Sequence, residues 1–128
     1  MFSDLIGIPF VDGKTDCWWL VREGLKRFGI EVPDYNIAME AVKQFSFDPK
    51  EVGRVIWEQR LKWKKIDKLE TPCAILMSLG CPESLHHVAL HIGNNRMLHT
   101  IRKTGACIER LDTPQYASRE KSYWRYVG

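Results

Sequence analysis

The sequence predicts an α+β domain in which one N-terminal helix packs on a small antiparallel β-sheet. Three observations carry that reading: a capped amphipathic helix in the first quarter of the chain, period-two alternation in the second half, and turn residues between the alternating segments. The chain has 128 residues, the size of one ordinary domain. A domain of this length removes roughly two-thirds of its unfolded surface from water, so it can hold a core without disulfide or metal staples. Hydrophobic residues make up 45% and charged residues 27%, proportions that exclude the disordered and fibrous classes. A single domain over residues 1–128 is expected.

The elements follow in order. Residues 1–15 are loop-like and contain Pro9, Asp12 and Gly13. Asp16 is an N-cap, after which Cys17, Leu20, Val21, Leu25 and Phe28 recur at helical spacing. Gly29 supplies a left-handed stop and Pro33 follows it. Residues 35–68 read as helical again, giving a helical middle segment at about 36–68, with Asp48-Pro49-Lys50-Glu51 as cap, first-turn proline and capping-box acid. Beyond Pro72 the period changes. Residues 74–79 form a short apolar run suited to a buried strand, and residues 87–92 alternate, with His87, Ala89 and His91 on one face and Val88, Leu90 and Ile92 on the other. Gly93-Asn94-Asn95 is turn chemistry, residues 96–102 return as the partner strand, and residues 106–111 add another.

The charge balance, 19 basic against 16 acidic residues, calls for no nucleic-acid partner. Lys62, Lys64, Lys65 and Lys68 interleave with Trp57 and Trp63, a mixture that single-strand grooves use. A solvated helix face with tryptophans turned inward explains it more simply. No apolar run approaches the ~20 residues of a membrane span, and no basic-then-apolar leader opens the chain, so neither membrane insertion nor classical export is expected. The four cysteines, at 17, 73, 81 and 107, include no Cys-x-x-Cys pair and are expected to be reduced thiols.

Two groups of residues point to chemistry. Cys17 opens its helix, where unpaired N–H groups favour a thiolate by about 0.3–1 kcal/mol and lower the thiol pKa. It also begins the apolar stripe, so on position alone a nucleophile and a small buried hydrophobe fit equally. Cys73, Cys81 and Cys107 read as core. Among His86, His87, His91 and His99, a hairpin folded about Gly93 sets His87 roughly opposite His99. One imidazole can then hold the tautomer of the other, as nucleophilic catalysis requires. His91 shares the face nearer the turn, and His86 points away. Zinc held by His87, His91, His99 and a cysteine is the alternative, but the ligand spacing is not compact and the nearest carboxylate is Glu83. Neither a metal nor a cofactor is expected.

Asp16-Cys17-Trp18-Trp19-Leu20-Val21, then His87-Val88-Ala89-Leu90-His91-Ile92-Gly93-Asn94-Asn95 and Met97-Leu98-His99-Thr100, resemble the NlpC-type cell-wall cysteine peptidases, a papain-like family. Residues 22–35, with Gly29-Ile30-Glu31-Val32-Pro33-Asp34-Tyr35, look most like members encoded beside phage tail genes. The resemblance covers residues 5–35 and 70–100. It implies that Cys17 is the nucleophile, His87 the general base and His99 the orienting third residue, with Phe10, Asp16, Trp18 and Trp19 at the substrate site. The implied activity is an endopeptidase cutting peptidoglycan stem peptides, between D-glutamate and a diamino acid, during cell-wall penetration. Implied partners are peptidoglycan peptide and other tail proteins; the implied location is the virion tail after synthesis in the host cytoplasm. The sequence departs from the family pattern in three places. Phe10 stands where members usually have tyrosine, Trp19 where they have glycine, and Pro72-Cys73-Ala74 lacks the usual Gly-Asp. A tail-tip assembly protein that keeps the fold without turnover, and an acyltransferase on a related fold, are the alternatives.

Overall fold

The computed structural model describes residues 1–11, 14–32, 63–77 and 87–128. Among them are two helices, α1 (Cys17–Lys26) and the short α2 (Pro114–Ala117), and six strands: β1 (Trp63–Ile66), β2 (Cys73–Met77), β3 (His87–Gly93), β4 (Arg96–Ile101), β5 (Gly105–Arg110) and β6 (Lys121–Tyr126). The strands form one sheet in the order β1-β6-β2-β3-β4-β5, and every neighbouring pair is antiparallel. This is the α+β architecture the sequence predicts, a helix on an antiparallel sheet.

Helix α1 begins where Asp16 caps it and ends where Gly29, at φ +78°, takes the left-handed conformation. Its stripe of Leu20, Val21 and Leu25 is buried against Val88, Leu90 and Leu98 of β3 and β4. A Cβ on Gly24 would collide with the Leu90 side chain, so the absence of a side chain lets helix and sheet approach closely. The other face of the sheet carries a second core of Ile75, Met77, Ala89, Met97, Leu111 and Tyr116. Strands β2 and β3 are therefore buried on both faces.

The β3–β4 hairpin turns through Asn94 and Asn95, both at positive φ, the backbone a two-residue hairpin loop demands and asparagine tolerates. The loop-like N-terminal residues lie along β5: Gly7 N–H donates to Ala106 O at 2.8 Å and Ala106 N–H to Ile8 O at 2.9 Å. Gly105, at φ +72°, makes this approach feasible, because a Cβ there would sit 2.6 Å from Ile8 O.

The helical middle segment, including Trp57, Lys62 and the capping sequence at Asp48, falls mostly outside the described residues. Its last part does not, and there the expectation is corrected. Trp63–Ile66 is strand β1, paired with β6. Trp63 and Ile66 are buried while Lys64 and Lys65 are exposed, a three-residue apolar spacing that imitates a helix in sequence. Trp63 packs edge-on against Trp18 and Tyr126, and Lys64 and Lys65 are exposed strand residues. Among the described residues no helix is long and apolar enough to cross a membrane.

Candidate active site

The start of α1 and the start of β3 meet at Cys17. Asp16 is completely buried, and its Oδ1 accepts the Trp19 backbone N–H at 3.0 Å, which fixes the first turn. Cys17, the first residue of α1, is half-buried against the helix-side core. Its sulfur is within hydrogen-bonding reach of the backbone N–H of Val88, the neighbour of His87.

The helix terminus does not win at this sulfur. Burial pushes the Cys17 thiol up to about 11; the Val88 N–H pulls it down, and the adjacent Asp16 carboxylate pushes it up again. A rise from 9.0 to about 11 disfavours the thiolate by ~3 kcal/mol, more than the ~1 kcal/mol that a helix N-terminus returns. The expected lowering of the pKa is thus reversed. At rest the sulfur is a thiol, and it could act as a nucleophile only with a base to take its proton.

Two rings stand at the same end of the sheet. His87 Nε2 lies 3.0 Å from His99 Nδ1, the rings meeting edge to face with centroids 5.2 Å apart. They are not directly opposite. Leu90 pairs with Leu98 and His91 with Met97, with a register shift between His91 and Gly93. Carrying that register one residue further sets Ala89 opposite His99. His87 is the diagonal neighbour, still within reach of a long side chain.

His99 is completely buried, and its Nε2 lies 2.9 Å from Glu109 Oε1. The same oxygen accepts the Tyr116 hydroxyl at 3.1 Å and the Cys107 thiol at 3.5 Å. Burial lowers the His99 pKa although Glu109 opposes it, so the ring is neutral near pH 7. Against the desolvation that burial imposes, hydrogen bonds from His99 and Tyr116 hold the Glu109 carboxyl below its ordinary range. A carboxylate only accepts, so His99 donates from Nε2 and its Nδ1 is an acceptor. His87 must then donate from Nε2, which leaves the lone pair of a neutral His87 on Nδ1.

Glu109 is the residue that sequence reasoning misses. The nearest carboxylate along the chain, Glu83, lies outside the described residues, and the acid beside the rings comes from β5. Cys107 is not a core residue but a half-buried one beside that acid; Cys73 is buried, as expected. Both are free, as is Cys17, and Cys81 lies outside the described residues.

The remaining candidates separate. His91 sits across from Cys73 and donates from Nδ1 to Glu70 O at 2.7 Å, apart from the His87–His99 pair; His86 lies outside the described residues. Trp18 is buried in the helix-side core, so Asp16 and Trp18 support α1 and present no open surface to a substrate. Trp19 and Phe10 are half-buried, with the Arg102 guanidinium 4.8 Å from the Phe10 ring centre.

A model of the family described as "NlpC/P60 family" matches residues 7–125. No curated protein sequence matches the chain. Among solved structures, an NlpC/P60 family protein from Bacillus cereus ATCC 10987 superposes with a TM-score of 0.63 at 22% identity, over 98% of this chain and 38% of that one. A protein similar to lipoprotein of the NLP/P60 family, from Staphylococcus aureus subsp. aureus Mu50, superposes with a TM-score of 0.57 at 16% identity, again over 98% of this chain and 38% of that one. The chain therefore spans well under half the length of either solved relative, and the likeness to them is one of fold.

Proposed function

Because the chain belongs to the NlpC/P60 family, a family of cysteine peptidases, we propose that it is a cysteine endopeptidase acting on the stem peptides of peptidoglycan. In this reading Cys17 is the nucleophile, His87 the general base and His99 the residue that orients it. The observation that carries the proposal is the one-way hydrogen-bond chain from His87 through His99 to Glu109, which leaves a base lone pair on His87 Nδ1. As Cys17 attacks the peptide carbonyl, that nitrogen takes the thiol proton and then delivers it to the leaving amine; water, deprotonated by the same nitrogen, releases the acyl group from sulfur. In the same reading the backbone N–H of Cys17, at the start of α1, helps to stabilise the oxyanion. In this reading Phe10 and Trp19, both half-buried, contact the peptide.

The bond cut is the one between D-glutamate and the diamino acid, and the setting is a phage tail that thins the wall locally, with other tail proteins as partners. Support for this finer assignment is the likeness of residues 22–35 to tail-associated members. Digesting purified peptidoglycan and identifying the fragments by mass spectrometry tests it. New amino termini on the diamino acid are expected, and cleavage elsewhere in the stem overturns the bond assignment. A second reading, a tail component that keeps the fold without turnover, is favoured by Phe10 and by the bulk of Trp19 two residues after Cys17. It predicts no fragments above those given by Cys17→Ala.

A further inference from the structure

The hydrogen-bond chain ends beside Cys107, a thiol that the peptidase reading leaves unused. Cys107 is the direct cross-strand partner of His99, and Glu109 lies two residues along β5 on the same face. His99 Nε2, Cys107 Sγ and a Glu109 oxygen all lie within 4.8 Å of one another, with Oε1 at 2.9 Å from Nε2 and 3.5 Å from Sγ. Tetrahedral zinc, with bonds of about 2.0–2.3 Å, sets its ligand atoms about 3.3–3.7 Å apart. For all three to hold one ion, Nε2 and Oε1 have to part by a few tenths of an ångström, and Nε2 and Sγ, within 4.8 Å of each other, have to close by up to about 1.3 Å.

One thiolate, one imidazole and one carboxylate form a donor set suited to zinc. Their surroundings also suit it. The Glu109 side chain is 31% exposed while His99 is completely buried, so an ion arriving from solvent meets Glu109 and half-buried Cys107 with His99 behind them. Tyr116 steadies the carboxylate and His87 faces the far nitrogen of His99, so two of the three ligands already have an outer partner.

We propose that His99, Cys107 and Glu109 form a zinc site whose occupation switches off the base lone pair of His87. The binding stands on its own, whereas the loss of activity rests on the peptidase reading above. The switch follows from counting protons. In the metal-free chain His99 and His87 each carry one proton, both on Nε2. Zinc on His99 Nε2 needs the lone pair there, so neutral His99 holds its proton on Nδ1 and donates it toward His87 Nε2. That nitrogen must now accept, and neutral His87 keeps its proton on Nδ1. The two rings hold two protons before and after, and the Cys107 thiol releases its own to solvent on coordination. The nitrogen that was to receive the Cys17 proton is then already protonated.

The test uses the full chain carrying Cys17→Ala, which removes the competing reactive thiol. Calorimetric titration with zinc is expected to show one site. Adding Cys107→Ser should weaken it by about 100-fold, at least as much as loss of an outer partner does, and Glu109→Gln should weaken it independently. Nitrogen-15 NMR of the imidazoles should show His87 passing from the Nε2–H to the Nδ1–H tautomer as zinc is added. Zinc affinity unchanged by both substitutions, or a His87 tautomer unmoved by saturating zinc, overturns the proposal. With Cys17 restored, zinc should inhibit peptide release, and Cys107→Ser should need about 100-fold more zinc, judged against its own metal-free rate. Binding and tautomer change in a chain that releases no peptide leave the site standing and remove the peptidase reading. Release inhibited equally in both chains removes the site and leaves that reading intact.

Discussion

His87 Nε2 and His99 Nδ1 stand 3.0 Å apart, and the contact has one polarity because the other nitrogen of His99 is committed to Glu109. An isolated pair of neutral imidazoles could share a proton in either direction. The carboxylate on β5 removes that freedom and hands the lone pair of His87 to its Nδ1.

Substitutions along this chain should therefore be graded. His99→Ala removes the orienting partner and is expected to lower kcat on a stem peptide by about 100-fold. Glu109→Ala should approach that loss. Glu109→Gln should lose less, since an amide oxygen still accepts the His99 N–H. Steady-state kinetics of the three variants check the order; a Glu109→Gln chain slower than Glu109→Ala contradicts it.

Stability should depend on pH through His99. Its pKa is lowered by burial, so below the ordinary value of 6.5 the unfolded chain binds a proton that the folded chain refuses. The contribution is present in full above that value and is lost as pH falls toward the folded pKa. Urea midpoints measured between about pH 7.5 and about pH 5.5 should fall toward acid in the wild type, and fall less in His99→Gln. Parallel curves refute this assignment.

Asp16 affects Cys17 in two separable ways. Asp16→Asn retains an N-capping oxygen but removes the charge that raises the Cys17 pKa. Thiolate absorbance, taken as a difference from the matching Cys17→Ala chain, should then titrate below about 11 with little change in thermal stability. Asp16→Ala should lose about 1 kcal/mol of stability as well, the usual contribution of a cap.

Gly105 holds the N-terminal segment against β5. An alanine there would take an unfavourable positive φ and drive its Cβ toward Ile8 O. Gly105→Ala is expected to lose about 2 kcal/mol or more in urea unfolding. A loss below about 0.5 kcal/mol would show that the contact yields freely.

What could be read in advance depended on how local the signal was. The cap at Asp16, the stripe from Leu20 to Leu25 and the stop at Gly29 lie within one helix and are legible there. Alternation from His87 and the turn at Asn94-Asn95 likewise reveal the β3–β4 hairpin, and with it the neighbourhood of His87 and His99. Trp63 and Ile66 misled because two buried residues three apart fit a helix as well as a short strand. Strand β6 joins β1 to β2, a pairing across more than forty residues that no local pattern expresses. Glu109 was hidden for the same reason. Only the β4–β5 register, with Cys107 opposite His99, reveals that an acid two residues further on reaches the buried ring. At Cys17 the helix terminus is visible in sequence, whereas the burial that raises the thiol pKa is not.

The central claim, that the sulfur of Cys17 opens a peptide bond of the cell wall, is tested most directly by the release of new amino groups from purified peptidoglycan. Wild-type chain and Cys17→Ala are assayed side by side. Steady release by the wild type, with a loss of about 10⁴-fold or more in the variant, is the predicted result. Equal rates from the two chains, or no release from either, would contradict it.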